Sequence, residues 1–126
     1  MMASQVCRIL AVDDLPDNLF LLQTILEAEG YEVEVAEHGR VALAKIQALP
    51  PDLVLLDVMM PDLNGLEVTR AIRQDKNLRA LPIVLITAHE DTIMTQGLDA
   101  GANDFIRKPI DFEHLLATIR AFVAKA

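Results

Sequence analysis

The chain has 126 residues, its formal net charge is −8 at pH 7, and 52% of its residues are hydrophobic. This length suits one domain over residues 1–126 with no output domain, and the apolar content is enough to fill a core on both faces of a sheet. The negative charge argues against binding to nucleic acids, because phosphate contacts need clustered lysine and arginine. No apolar run approaches the roughly 20 residues that span a bilayer, the start does not resemble a signal peptide, and the single cysteine, Cys7, excludes an internal disulfide. We therefore expect a cytoplasmic protein without membrane contact.

Short aliphatic runs alternate with amphipathic ones through the first half of the chain. Pro16 suits the first turn of a helix, and Gly30 is placed to end that helix. Pro50 and Pro51 end the second helix. In chain order the predicted elements are a strand at Cys7–Val12, a helix from Pro16 that stops at Gly30, a strand at Tyr31–Ala36, a helix at Gly39–Leu49 and a strand at Leu53–Leu56.

The same alternation continues through the second half. The segment from Pro61 to Gly65 is typical of a turn, and Gly101 stands where a helix is expected to end in a left-handed residue. The predicted elements are a helix that carries Leu66 to Ile72, a strand at Ile83–Ile86 that ends at Thr87, a helix at Glu90–Ala100, a strand at Asp104–Arg107 and a helix with Asp111 as its N-cap. Five such units predict an α/β protein with a parallel sheet, right-handed crossovers and helices on both faces.

Polar residues stand at the carboxyl ends of the predicted strands. Asp13 and Asp14 follow the first strand, Asp57 the third, Thr87 the fourth and Lys108 the fifth. In a parallel α/β sheet these ends meet at one edge, where ligands bind. Clustered carboxylates repel each other unless a cation or protons intervene, and oxygen ligands of this kind suit Mg²⁺. The pattern therefore predicts a metal site at this edge.

Such a pocket is also suited to phosphoryl transfer. Asp57 can act as a nucleophile on phosphorus and form an aspartyl phosphate. Mg²⁺ would offset the charge of the phosphoryl group, Lys108 would add a positive point charge, and Thr87 could donate one hydrogen bond. Each residue alone has an ordinary explanation, since Asp14 and Thr87 could cap helices and Lys108 could be a surface lysine. Their joint position at one sheet edge favours the pocket.

The sequence resembles the receiver domain family of response regulators over essentially its whole length. The matching segments are Ala11–Asp14, Asp57–Gly65, Ile86–Ala88 and Phe105–Pro109. The resemblance implies a flavodoxin-like, doubly wound sheet of five parallel strands in the order 2-1-3-4-5. Five helices would cover the sheet in three α/β/α layers.

The resemblance also implies a role for each polar residue of the pocket. Asp57 would be the phospho-acceptor, and the Mg²⁺ ligands would be Asp13, Asp14, Asp57 and the backbone carbonyl of Met59. Mn²⁺ would substitute for Mg²⁺. The phosphoryl group would come from a sensor histidine kinase or a histidine phosphotransfer protein, and only slow self-dephosphorylation would follow.

The signal would leave the pocket through a second set of residues. Thr87 and Phe105 would form a switch pair, in which the hydroxyl moves toward the phosphoryl group and the ring turns inward. Lys108 would pair with a phosphoryl oxygen, and the bond before Pro109 would be cis. A downstream protein would bind the face made by the fourth helix, the fifth strand and the fifth helix.

The resemblance leaves the assembly open. In regulators that pair through this face, the last helix usually carries a glutamate and an arginine, and His114 and Thr118 stand at those positions here. A weak homodimer through other contacts remains an alternative. The chain fits both a natural single-domain regulator and a receiver from a larger protein.

Three other functions compete with the receiver interpretation. Phosphatases of the haloacid dehalogenase type carry a second aspartate two residues after the nucleophile, and Met59 stands at that position here. A receiver-like interaction module that is never phosphorylated would normally lack one of the acidic or lysine residues that this chain keeps. The case for a nucleotide-binding module is weaker still, because no glycine-rich loop follows the first strand. His89, near the mouth of the pocket, is either a residue that sets the dephosphorylation rate or a solvated loop residue.

Overall fold

The computed structural model describes residues 6–88 and 91–123. Within these ranges, strands and helices alternate, and a 3₁₀ turn follows the third helix. The strands are β1 (Arg8–Val12), β2 (Glu32–Ala36), β3 (Leu53–Asp57), β4 (Ile83–Thr87) and β5 (Asp104–Arg107), the helices are α1 (Pro16–Ala28), α2 (Gly39–Ala48), α3 (Gly65–Gln74), α4 (Asp91–Ala100) and α5 (Phe112–Phe122), and the 3₁₀ turn is Lys76–Leu78. In the part of the chain described here, no helix has the length and apolarity to cross a bilayer.

The five strands form one parallel sheet in the order β2-β1-β3-β4-β5, which confirms the predicted order. The chain leaves β1 toward one edge of the sheet through β2 and then returns to place β3 on the other side of β1. The strand order therefore reverses between β1 and β3. This is the position where doubly wound sheets open a crevice at the carboxyl ends of their strands.

Each face of the sheet is covered by a different set of helices. One core combines Leu10 and Val12 of β1 with residues of α2 and α3. The other core combines Ile9 and Ala11 of the same strand with residues of α1 and α5. Successive side chains of a strand point to opposite faces, so β1 is buried on both sides, as the three-layer prediction required.

Two glycines end helices in the predicted way, whereas some boundaries differ from the prediction. Gly30 and Gly101 have φ values of 93° and 115°, a left-handed conformation that favours glycine. The first two strands each begin one residue later than predicted. Glu90, the predicted start of the fourth helix, lies outside the described residues. The 3₁₀ turn was not predicted, because its three residues carry no hydrophobic period.

Arg73 links the end of α3 to two other segments. Its guanidinium donates hydrogen bonds to the carbonyl oxygens of Gly101 (2.8 Å) and Leu78 (3.2 Å) and to Oδ1 of Asn103 (2.8 Å). The same Oδ1 accepts a hydrogen bond from the amide of Ile83 at 2.8 Å. Burial lowers the pKa of the Arg73 guanidinium.

We expect Arg73→Lys to destabilise the fold by about 1–3 kcal/mol, because an ammonium cannot reproduce the planar fork that reaches three acceptors. Urea unfolding measures this loss. The control is Arg70→Lys, since Arg70 is exposed on the same helix and its replacement should change the free energy of unfolding by less than about 0.5 kcal/mol. Equal unfolding midpoints for the two variants would contradict the prediction.

Candidate functional site

Three carboxylates meet where the sheet order reverses. Val12 of β1 pairs with Leu56 of β3, so the residues that follow them lie side by side at the same edge. One carboxylate oxygen from each of Asp13, Asp14 and Asp57 lies within 4.8 Å of the other two. Asp13 and Asp57 are only 2% and 4% exposed, and Asp14 is half-buried on the solvent side. The structure thus brings the predicted acidic residues together.

Lys108 supplies the positive charge of this pocket. Its Nζ lies 3.5 Å from Oδ2 of Asp57 and 3.8 Å from Oδ2 of Asp13. Burial and the neighbouring Asp13 carboxylate raise the pKa of Asp57 from 3.8 to about 6, although Lys108 and the amide of Met59 act in the opposite direction. Among the described residues, three carboxylates and one ammonium give this pocket an excess of negative charge. A divalent cation with a preference for oxygen ligands fits this donor set.

Helix α1 holds the Asp13 side chain in place. The amide of Leu15 donates to Oδ1 of Asp13 at 3.0 Å, and Nδ2 of Asn18 donates to Oδ2 at 3.1 Å. The alternative that Asp14 caps this helix is wrong, because the N-cap is Leu15 and no side chain caps it. Asn18 was missed by the sequence analysis. Its only signal is that it follows Asp13 by five residues, which places it on the first turn of α1.

The β3–α3 loop (residues 58–64) folds back tightly beside Asp57. Oδ1 of Asp57 accepts a hydrogen bond from the amide of Met59 at 3.2 Å, and the amide of Gly65 donates to the carbonyl oxygen of Val58 at 2.9 Å. A Cβ atom on Gly65 would lie 2.7 Å from the carbonyl oxygen of Asp57, so only glycine fits there. The Met59 side chain is 57% exposed. The loop therefore places the backbone of Met59, and not its side chain, next to the acidic pocket.

The remaining predicted residues line the same edge of the sheet. Thr87 ends β4 and is 1% exposed, and its carbonyl oxygen accepts a hydrogen bond from the amide of Lys108 at 2.9 Å. The Lys108–Pro109 bond is cis. Phe105 pairs with the residue two positions before Thr87, so the two side chains lie on the same face of adjacent strands. His89 lies outside the described residues.

The family model of the response regulator receiver domain matches residues 9–120 of this chain. The chain belongs to that family. The match confirms the resemblance drawn from the four segments, and receiver domains of this family are signalling switches. The acidic pocket, the strand order and the five helices are all found in this receiver domain as predicted.

Similar proteins differ in how much of their own length this domain covers. The chain is 48% identical over 117 residues to the response regulator PleD of Caulobacter vibrioides, an alignment that covers 90% of this chain and 25% of PleD. It is 39% identical over 120 residues to protein PilH of Pseudomonas aeruginosa, with 94% of this chain and 99% of PilH covered. The receiver domain thus spans a quarter of one relative and nearly all of the other.

Solved structures agree with the fold of this receiver domain. The chemotaxis protein CheY4 of Vibrio cholerae superimposes with a TM-score of 0.89 at 33% identity and covers 94% of this chain and 100% of its own. The receiver domain of the sensor histidine kinase PA1611 from Pseudomonas aeruginosa superimposes with a TM-score of 0.87 at 30% identity, covering 94% of this chain and 98% of its own. That structure has a magnesium ion coordinated in its active-site cleft.

Proposed function

We propose that this receiver domain accepts a phosphoryl group on Asp57 from a histidine of a sensor kinase or of a phosphotransfer protein. The observation that carries the proposal is the cluster of three carboxylates within 4.8 Å, with the Lys108 ammonium 3.5 Å from the Asp57 carboxylate. A lone nucleophilic carboxylate would repel the incoming phosphoryl oxygens. The Lys108 ammonium and a bound cation would together remove that obstacle.

The transfer needs an ionised Asp57 and a good leaving group. The Asp57 carboxylate attacks phosphorus, the new O–P bond forms, and the P–N bond to the donor imidazole breaks with its electron pair passing to the nitrogen. Lys108, whose Nζ lies 3.5 Å from Oδ2 of Asp57, then pairs with a phosphoryl oxygen. The Thr87 hydroxyl donates a hydrogen bond to another phosphoryl oxygen.

The metal that best fits the pocket is Mg²⁺, with Mn²⁺ as a substitute. Its protein ligands would be the carboxylates of Asp13, Asp14 and Asp57 and the backbone carbonyl of Met59. When bound, it offsets the negative charge of the phosphoryl group. The magnesium in the PA1611 receiver, a domain of the same fold, supports this assignment.

The output of this domain is a change in protein binding and not a released product. A shift of a two-state equilibrium from 1:99 to 99:1 needs about 5.5 kcal/mol, whereas one hydrogen bond from Thr87 to a charged group contributes roughly 1.5–3 kcal/mol. A partner must therefore select the active state, on the face of α4, β5 and α5 that includes Phe105. We place this exchange in the cytoplasm, with slow self-dephosphorylation as the only turnover.

The test is intact-mass spectrometry after incubation with acetyl phosphate, with Mg²⁺ or with EDTA. We expect a gain of about 80 Da, the mass of one phosphoryl group, only when Mg²⁺ is present, because the acidic pocket repels the donor without it. The control is Asp99→Asn, which removes an exposed aspartate of α4 and should gain the same mass. An unchanged mass, together with measurable Mg²⁺ binding, would favour the interaction module that is never phosphorylated.

A further inference from the structure

The first turn of α2 is capped by a residue from another part of the chain. The N-cap of α2 is His38, which makes no side-chain cap hydrogen bond, and the first turn of the helix has no acidic residue. Instead, Oδ1 of Asp62 accepts a hydrogen bond from the amide of Gly39, and Oδ2 accepts one from the amide of Arg40, each at 3.2 Å. The amides at a helix start need such acceptors, and a carboxylate also interacts favourably with the helix dipole.

The β3–α3 loop, to which Asp62 belongs, lies directly against the same helix end. A Cβ atom on Gly39 would overlap the carbonyl oxygen of Leu63 and lie 2.8 Å from the Leu63 Cβ atom. Those distances leave no space for any side chain at position 39. The carboxylate contact and the close packing are independent observations of one junction between the loop and α2.

This loop also carries the backbone of Met59. One end of the loop is closed by the hydrogen bond from the amide of Gly65 to Val58, and Met59 contacts Asp57 through its amide. Met59 is 57% exposed, whereas the residue on each side of it is buried in the core. The Asp62 carboxylate adds a second attachment, which links the middle of the loop to the start of α2.

We propose that Asp62 is a positioning residue that fixes the β3–α3 loop against α2 and thereby sets the affinity of the pocket for a divalent cation. The inference rests on the proposed function, in which the backbone carbonyl of Met59 is a metal ligand. A ligand held in place before binding loses less freedom when the metal binds, so the Asp62 attachment strengthens binding without touching the metal. Partners that orient metal ligands typically change affinity by 10- to 100-fold. Since Asp62 acts through the backbone, we expect a smaller effect, on the order of 3- to 10-fold.

The experiment compares Mg²⁺ dissociation constants by titration calorimetry. We expect Asp62→Ala to raise the dissociation constant about 3- to 10-fold and to speed amide hydrogen exchange at Gly39 and Arg40. Asp62→Asn keeps one acceptor oxygen but no charge, so its affinity should lie closer to the wild type than to the alanine variant. If the two variants bind Mg²⁺ equally weakly, long-range charge explains the loss and the positioning role is wrong.

A second control separates positioning from general destabilisation. Arg73→Lys weakens contacts of Gly101, Leu78 and Asn103 and leaves the loop of Met59 untouched, so its Mg²⁺ dissociation constant should match the wild type. A stability loss in Asp62→Ala with unchanged Mg²⁺ affinity would reduce Asp62 to a helix cap and overturn the inference. If the wild type itself binds no Mg²⁺, the proposed function fails instead, so the two failures are distinguishable.

Discussion

Replacement of Asp57 by asparagine is expected to abolish the phosphoryl adduct and, in the absence of Mg²⁺, to stabilise the fold. The amide cannot act as a nucleophile, which removes the acceptor. The substitution also removes a buried carboxyl group whose pKa, about 6, lies some two units above its ordinary value of 3.8. One pKa unit corresponds to 1.36 kcal/mol, so we expect a stabilisation on the order of 2–3 kcal/mol at neutral pH.

The raised pKa of Asp57 makes the stability of the metal-free wild type depend on pH. The folded protein keeps the proton on Asp57 up to about pH 6, whereas the unfolded chain loses it near 3.8. The folded state therefore binds more protons than the unfolded state between these values, and the metal-free wild type loses stability as the pH rises through that window. Above pH 6 the ionised Asp57 lowers the free energy of unfolding by its full amount. The stability of Asp57→Asn should not fall in this way between pH 3.8 and 6.

Urea unfolding from pH 4 to pH 8, in EDTA and again in Mg²⁺, measures both effects. Mg²⁺ binds the folded wild type and so should narrow its stability difference from the variant. Asp99→Asn is the matched control, because it removes one exposed carboxylate and should leave the slope unchanged. A variant less stable than the wild type at pH 7 in EDTA would contradict the prediction, as would a stability difference that does not change with pH.

The strands and their polar ends could be predicted from the sequence because their signals are local. A strand buried on both faces, such as Leu53–Asp57, is a nearly continuous apolar run that ends at a charged residue. Parallel strands bring their carboxyl ends to one edge of the sheet, so the sequence alone predicts that Asp13 and Asp57 lie close together. The strand order came from the resemblance to receiver domains.

The side-chain contacts between distant segments of the chain could not be predicted in the same way. Asp62 caps an amide 23 positions earlier in the chain, and Arg73 reaches a carbonyl 28 positions later. No local pattern marks such pairs, because their geometry exists only after the sheet has formed. One missed feature was readable, since Asn64 and Glu67 have the spacing of a capping box and form one in the structure.

Lys108→Met is expected to strengthen Mg²⁺ binding and to slow phosphoryl transfer. The ammonium lies 3.5 and 3.8 Å from two of the carboxylates proposed to bind Mg²⁺, so it competes with the cation for their charge. Without it, Mg²⁺ should bind several-fold more tightly. Phosphoryl transfer should nevertheless slow by about 10²- to 10³-fold, the usual cost of losing one group that stabilises the charge of a transition state.

Titration calorimetry and a mass-spectrometric time course with acetyl phosphate at saturating Mg²⁺ measure the two quantities separately. Lys76→Met serves as the control, because Lys76 is exposed on the 3₁₀ turn and its loss should change neither quantity. Weaker Mg²⁺ binding in Lys108→Met would indicate that the lysine maintains the shape of the pocket. An unchanged rate with tighter binding would show that Lys108 balances charge in the resting protein and does not contact the phosphoryl group. Tighter binding together with slower transfer is the result that assigns Lys108 to the phosphoryl group, because no purely structural defect strengthens metal binding while it slows the chemistry that depends on the metal.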